Sequence, residues 1–133
     1  MSYKRIQLMT ETLFDVRPSQ GTLVNAVKSF ATLITPTLDE MRERLLKEDV
    51  IHVDETGIDV NGTNCWIHVV STPSYSYQYV HKKRGIEAME AGGILPCYKN
   101  IAVHDFWKSY FHFDACTHAM CVAHLERELV YMG

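Results

Sequence analysis

Apolar residues recur at helical spacing through the first 48 positions of the chain. They lie on one face of a helix over residues 3–14, and over residues 22–34 they repeat at intervals of four, three and four. Pro36 is expected to end the second helix, because proline lacks the amide hydrogen that a helix needs. Thr37 and Glu40 then match a capping box, which predicts that a third helix begins there. The pattern therefore predicts three short helices before residue 49.

After residue 49 the apolar period changes to two, which is typical of β-strands. The first strand covers residues 50–60 and leads into Asn61-Gly62, a dipeptide favoured in type I′ hairpin turns. Further strands are predicted at 65–70, 75–81, 101–105 and 116–122, and further helices or turns at 86–92, 107–113 and 124–132.

Three meandering strands followed by alternating helices and strands predict an α/β fold of the ribonuclease-H-like class. In that fold, helices flank a mixed five-stranded sheet. We therefore expect a helical segment over residues 1–48 and a ribonuclease-H-like core over residues 49–133.

Two of the predicted strands carry an aspartate after an apolar run. Asp54 follows β-branched residues that can bury on a sheet, and Asp105 ends the fourth strand. The first and fourth strands are neighbours in the ribonuclease-H-like topology, so the two carboxylates should lie side by side. Such a pair can hold Mg²⁺ or Mn²⁺, which prefer oxygen ligands. Glu55 should point to the opposite face of the strand, and each aspartate could instead be an ordinary loop acid or a helix cap.

Seven short stretches of the chain form a recognisable series. They are SQGTLVN at residues 19–25, HVDETG at 52–57, NG at 61–62, WIHV at 66–69, HKKRG at 81–85, VHD at 103–105 with Tyr110, and CVAHLERE at 121–128. This series resembles the insertion-sequence transposases of the sixty-six family. The resemblance covers nearly the whole chain, and the stretches occur in the family's order.

The resemblance implies a DDE-type transposase that cleaves and joins DNA strands at transposon ends with a divalent metal. Asp54 matches the family's first catalytic aspartate and Asp105 the second, and both would bind metal. The family's catalytic glutamate lies downstream of residues 121–128, so the third carboxylate is expected to be absent from this chain, whose core would be truncated at its C-terminal end. Glu126 and Glu128 are not expected to replace it. The complete site would hold two Mg²⁺ or Mn²⁺ ions about 3.5–4 Å apart, which activate a water or a 3′-hydroxyl.

The implied activity is polynucleotidyl transfer by the full-length protein, acting as a homo-oligomer on the DNA of transposon ends and target. The chain alone is expected to be inactive in strand transfer, because it carries two of the three carboxylates. The alternative is a non-catalytic remnant, or a nucleic-acid-binding or metal-binding module of the same fold. Phe106-Trp107 departs from the family, which more often has a small residue after the second aspartate, and this bulk is expected to narrow the site.

The basic stretch Lys82-Lys83-Arg84 is a local feature that suits the DNA backbone, because lysine and arginine neutralise phosphates. The net charge of −3 gives no global sign of nucleic-acid binding. The alternating tyrosines before the basic stretch could stack on unpaired bases, although packing on the sheet is the favoured interpretation. The alternative for the basic stretch itself is a solvated turn.

Residue types that bind zinc cluster near the C-terminal end, at Cys116, His118, Cys121 and His124. Four ligands within nine positions cannot readily surround one tetrahedral ion, since structural zinc sites usually place two ligand pairs on separate elements. We therefore expect buried thiols and a histidine at the start of a helix.

The bulk composition sets the remaining expectations. A chain of 133 residues, 47% hydrophobic and 22% charged, suits one soluble domain. No apolar run approaches the roughly 20 residues that span a bilayer. The protein is therefore expected to be cytoplasmic, with its four cysteines reduced, and as a bacterial transposase it would associate with the nucleoid.

Overall fold

Two helices open the chain. The computed structural model describes residues 2–131, which fall into two compact units, Met1–Asp39 and Glu40–Gly133. Helix α1 spans Tyr3–Phe14, as predicted, and helix α2 spans Gln20–Leu45 and so crosses from the first unit into the second. Ser19 caps α2, because its hydroxyl oxygen accepts a hydrogen bond of 3.0 Å from the Thr22 amide. The predicted boundary between residues 48 and 49 stays a prediction.

The predicted break at Pro36 is wrong, since α2 is one helix that contains this proline. Proline in a helix interior removes one hydrogen bond and costs about 3 kcal/mol, but the turn around Pro36 is exposed, so water can satisfy the Thr32 carbonyl that the proline leaves free. Thr35 Oγ1 also donates to the Ala31 carbonyl at 3.0 Å. Thr37 consequently lies within the helix and does not cap a third one.

Five strands follow the helices and form one sheet. The elements are β1 Val50–Val60, β2 Thr63–Ser71, β3 Ser76–His81, α3 Ile86–Gly92, a 3₁₀ helix Leu95–Cys97, β4 Ile101–His104, a 3₁₀ helix Lys108–His112, β5 Thr117–Met120 and α4 Val122–Tyr131. The strand order across the sheet is β3-β2-β1-β4-β5. Strand β1 pairs antiparallel with β2 and parallel with β4. This confirms the predicted ribonuclease-H-like α/β fold with a mixed five-stranded sheet.

The β1–β2 hairpin has the turn that its sequence predicts. Asn61 and Gly62 adopt φ angles of 53° and 77°, and two consecutive positive φ values are what a type I′ turn requires. Asp59 stabilises the turn, because its Oδ1 accepts a hydrogen bond of 3.0 Å from the Gly62 amide. The turn fixes the pairing of β1 with β2, and with it the face on which each β1 side chain lies.

The hydrophobic core lies on one face of the sheet. Strand β1 alternates so that Ile51, Val53 and Glu55 are buried while His52 and Asp54 are exposed. The core cluster contains Leu45, Ile51, Val53, Val70, Met89, Ile94, Leu95, Tyr98, Ala102, Tyr110, Phe113 and Cys116. Helix α3 and both 3₁₀ helices contribute to it, so they cover the same face. Within residues 2–131, no helix is both long enough and apolar enough to cross a membrane.

Candidate active site

Asp54 lies in β1, and Asp105 follows directly after the end of the neighbouring parallel strand β4. The last described pair of the β1–β4 ladder joins His52 to Val103, and each aspartate lies two residues further along its own chain segment. Alternation along β1 places Asp54 on the face opposite the core, where it is exposed, and Asp105, one residue after β4, is partly exposed. The fold therefore brings Asp54 and Asp105 to the same end of two neighbouring strands, and their role as metal ligands stays a prediction.

A backbone amide orients each of these carboxylates. Asp54 Oδ1 accepts a hydrogen bond of 2.9 Å from the Glu55 amide, and Asp105 Oδ1 accepts one of 2.9 Å from the Trp107 amide. Two solvent-facing carboxylates supply the oxygen donors that Mg²⁺ and Mn²⁺ prefer, so the pair fits a hard divalent cation. In the described part of the chain, no three His, Cys, Asp or Glu side chains lie together in a way that could hold a metal. A metal-binding role of the two aspartates therefore stays a prediction.

Glu55 faces the core, as its position next to Asp54 predicts. Its side chain is 1% exposed and forms an ion pair with Arg84. Glu55 Oε1 accepts a hydrogen bond from Arg84 Nε at 2.8 Å and lies 2.7 Å from Arg84 Nη2, and Oε2 accepts a hydrogen bond from the Tyr110 hydroxyl. Burial, followed by the hydrogen bond to the Glu55 carboxylate, raises the pKa of Tyr110, so the phenol stays protonated and remains a donor.

Arg84 lies between two tryptophan rings. Its guanidinium carbon is 4.0 Å from the ring centroid of Trp107 and 4.9 Å from that of Trp66. The side chain is 38% exposed, whereas Lys82 and Lys83 in the same predicted basic stretch are exposed. A DNA contact by these three residues stays a prediction, and for Arg84 it would have to coexist with the internal ion pair.

The sequence held one signal for this ion pair that the motif-based interpretation missed. Glu55 occupies the third of three alternating positions whose first two members, Ile51 and Val53, are buried in the core. A carboxylate on a buried strand face requires a cationic or hydrogen-bonding partner. The pattern thus predicts that a basic side chain lies close to Glu55, although it does not identify Arg84.

The bulky residues after Asp105 lie in different environments. Phe106 is 47% exposed, and Trp107 packs over Arg84. Trp107 also contacts Tyr110 edge to face, with ring centroids 6.1 Å apart. The bulk of Trp107 thus serves the packing around Arg84, while the predicted narrowing of the site stays a prediction.

Two histidines, His104 and His118, pack next to Asp105 and contact each other. His104 is buried, its ring stacks on Tyr110 at 4.5 Å, and its Nε2 lies 2.8 Å from His118 Nδ1. His118 Nε2 in turn lies 3.2 Å from the Phe113 carbonyl. Burial lowers the pKa of His104. The His118 ring, one of the four residues with zinc-ligand chemistry, is therefore engaged in packing beneath β4.

Cys116 of that group, Tyr75 before β3 and Tyr79 in β3 also have structural contacts. Cys121 is partly exposed, and among the described residues His124 Nδ1 has no hydrogen-bond partner. Cys116 is a buried free thiol whose Sγ lies 3.3 Å from the Phe113 carbonyl. Tyr75 donates to Glu48 at 2.8 Å, and Tyr79 donates to the Ala88 carbonyl at 3.1 Å. The tyrosines therefore pack on the sheet and the neighbouring helix, which is the interpretation that the sequence favours.

The strand order and the two aspartates at one end of the sheet define a chain of the ribonuclease-H-like class. A family model described as "Transposase IS66 family" matches residues 1–133. The chain belongs to the IS66 family of transposases, which confirms the family predicted from its motifs.

The other comparisons add one structural likeness. A search of curated proteins found no match to the chain. Among solved structures, the chain is similar to a chain of "CryoEM structure of simian T-cell lymphotropic virus intasome in complex with PP2A regulatory subunit B56 gamma", with 16% identity and a TM-score of 0.41. The match covers 59% of this chain and 36% of that one, so this chain spans about a third of that chain's length.

Proposed function

We propose that this chain forms part of the catalytic core of a DNA transposase, which cleaves phosphodiester bonds and transfers strands at transposon ends with divalent metal ions. Asp54 and Asp105 supply two of its three metal-binding carboxylates. One observation carries the proposal: both aspartates lie two residues beyond the last β1–β4 pair, with Asp54 exposed and Asp105 partly exposed. The family match over residues 1–133 supports the same assignment.

The chain's own residues have separable tasks in this proposal. Asp54 and Asp105 hold Mg²⁺ or Mn²⁺ through carboxylate oxygens, with the amides of Glu55 and Trp107 fixing their orientation. When bound, a pair of such ions activates the attacking water or 3′-hydroxyl and stabilises the leaving oxygen of the phosphodiester. Glu55 does not supply the third carboxylate, because its two oxygens already accept hydrogen bonds.

DNA is the proposed partner, both as transposon ends and as target. The exposed side chains of Lys82 and Lys83 neutralise backbone phosphates, which is a sequence-independent contribution to binding. Assembly as a homo-oligomer belongs to the proposal for the full-length protein.

The metal site is tested by titrating Mn²⁺ into the ¹⁵N-labelled chain and following paramagnetic broadening of its amide signals. We expect the amides of residues 54, 55, 105 and 107 to broaden first. The Asp54→Asn and Asp105→Asn variants should each bind Mn²⁺ more weakly than the wild type. Loss of a residue that only supports a metal ligand weakens metal binding by roughly 10- to 100-fold, and loss of a ligand should weaken it by at least as much.

Asp114→Asn is the matched control for this titration, because Asp114 is an exposed aspartate of the same unit and its loss removes the same charge. If all three variants bind Mn²⁺ like the wild type, the aspartate pair is not a metal site, and the non-catalytic module of this fold becomes the better account.

A further inference from the structure

We infer that Arg84 is a positioning residue for the two aspartates. Its guanidinium group connects the chain beside Asp54 to the chain beside Asp105, and so sets the separation of the two carboxylates. The inference rests on the proposed metal site and adds to it a residue that holds the ligands in place without touching the metal.

The backbone ladder between β1 and β4 stops short of both ligands. Its last described pair is His52 with Val103. Beyond this pair, the described contacts between the segment of Asp54 and the segment of Asp105 are made by side chains. Glu55, the residue after Asp54, binds Arg84 through one carboxylate oxygen and Tyr110 through the other.

The other end of the connection is the segment that follows Asp105. The Trp107 ring packs 4.0 Å from the Arg84 guanidinium carbon, and the Trp107 amide holds the Asp105 carboxylate. The Tyr110 amide also donates to the Trp107 carbonyl at 3.2 Å. The segment 105–110 is therefore attached to Glu55 at two points, through Tyr110 directly and through Trp107 by way of Arg84.

The base of this arrangement is the sheet itself. Trp66 lies opposite Gly57 in the β1–β2 pairing, and a Cβ atom added at Gly57 would lie 3.9 Å from the Trp66 ring. The tryptophan therefore packs against β1 and gives Arg84 a second ring at 4.9 Å. A planar guanidinium group can stack on aromatic rings while it donates to a carboxylate, and a lysine ammonium group lacks that planar surface.

A role of Arg84 through its charge and a role through positioning predict opposite changes in Mn²⁺ affinity when Arg84 is replaced. If only its charge mattered, removing a cation close to a metal site would strengthen cation binding, because repulsion would fall. If Arg84 holds Asp54 and Asp105 at the right separation, its removal would weaken cation binding although the net charge has become more negative. The sign of the change in Mn²⁺ affinity therefore separates the two roles.

The test is the Mn²⁺ titration applied to Arg84→Met and Arg84→Lys, with Lys108→Met as the control. Lys108 is an exposed lysine next to Trp107, so its loss removes the same charge from the segment that Arg84 contacts. We expect both Arg84 variants to bind Mn²⁺ about tenfold or more weakly than the wild type, which is typical when a partner of a metal ligand is lost. The Lys108→Met variant should bind at least as tightly as the wild type.

A double variant separates positioning from general stability. Arg84→Met leaves the Glu55 charge buried without its partner, whereas Glu55→Gln combined with Arg84→Met removes that charge. We expect the double variant to recover part of the thermal stability lost in Arg84→Met while its Mn²⁺ affinity stays low.

Recovery of Mn²⁺ affinity together with stability would overturn the positioning role, and so would unchanged or tighter binding by both Arg84 variants. A wild-type chain that binds no Mn²⁺ would instead contradict the proposed metal site and with it this inference.

Discussion

Two adjacent acids on β1 lie in opposite environments because a strand alternates its side chains. Asp54 is exposed on the face opposite the core, whereas the Glu55 side chain is 1% exposed and paired. The alternation of Ile51 and Val53 is enough to predict this difference from the sequence. Identical charge thus serves two purposes on neighbouring residues: one carboxylate is available to a ligand, and the other is used inside the protein.

This difference predicts unequal stability losses on mutation. Glu55→Ala should lower the free energy of unfolding by about 1–3 kcal/mol, because it leaves the buried Tyr110 hydroxyl without its acceptor and the partly exposed Arg84 without its partner. Asp54→Ala should change it by less than about 1 kcal/mol, since an exposed side chain has little to lose. Urea denaturation followed by circular dichroism measures both. Equal losses in the two variants would show that the Glu55 contacts add little to stability.

At the scale of elements, close packing against helix α3 explains its glycine-rich end. Gly93 adopts a φ of 69° and ends the helix in the left-handed conformation, which glycine adopts without strain. Gly92 has an ordinary helical conformation but no space, because an added Cβ would lie 2.3 Å from the Tyr79 ring. Tyr79 is held there by its hydrogen bond to the Ala88 carbonyl. The sequence identifies the helix end, whereas the contact with β3 requires the folded structure.

Gly92→Ala should therefore destabilise the protein although alanine is the better helix former. The clash with Tyr79 should lower the free energy of unfolding by about 1–3 kcal/mol, more than the gain in helix propensity of up to about 1 kcal/mol. Gly57→Ala is the control, because its Cβ would meet its nearest neighbour at an ordinary 3.7 Å, and it should be neutral or mildly stabilising. Thermal unfolding of both variants tests the difference, and a Gly92→Ala protein as stable as the Gly57→Ala protein would contradict it.

Helix α2 shows where a local rule fails. Pro36 and the capping pattern after it are strong signals of a helix end, yet α2 continues through them. A proline forfeits one hydrogen bond, and an exposed helix can tolerate that loss when the remaining turns are intact. The sequence shows the proline and predicts the hydrogen bond that it removes. It does not show whether one continuous helix is more stable than two shorter helices.

For the whole molecule, the predictable features were those with a local physical cause. The sheet topology follows from apolar residues that alternate with polar ones along the strands, from the Asn61-Gly62 turn and from the order of the elements. This topology places β1 beside β4. The contacts of Arg84 could not be predicted in the same way, because they join three segments that are distant in sequence. The sequence thus predicts which ends of strands meet, and the structure shows which side chains connect them.

Buried tyrosines make the stability of the whole fold sensitive to alkaline pH. Burial raises the pKa of Tyr79 and Tyr98 to about 12 from the ordinary 10.0, and it raises that of Tyr110 as well. Since the folded pKa values lie above the unfolded one, these groups stabilise the fold fully below pH 10, and the contribution is lost as the pH rises through 10 towards the folded values. Each tyrosine should lower the free energy of unfolding by up to about 1.4 kcal/mol per pH unit in that window.

Comparison with Tyr98→Phe isolates this effect from the lysines that titrate in the same range. The Tyr98 hydroxyl donates to the Glu48 carbonyl at 2.8 Å, with the Ile101 carbonyl as a second acceptor at 3.2 Å, so the variant should be less stable than the wild type at neutral pH. Above pH 10 its stability should decline less steeply, because one titrating group has been removed while every lysine remains. Urea denaturation at pH 8, 10 and 11 measures the two stabilities, and tyrosinate absorbance at 295 nm is a second readout. We expect the stability curves of the wild type and of Tyr98→Phe to converge as the pH rises. Parallel curves would show that Tyr98 ionises as readily in the folded chain as in the unfolded one.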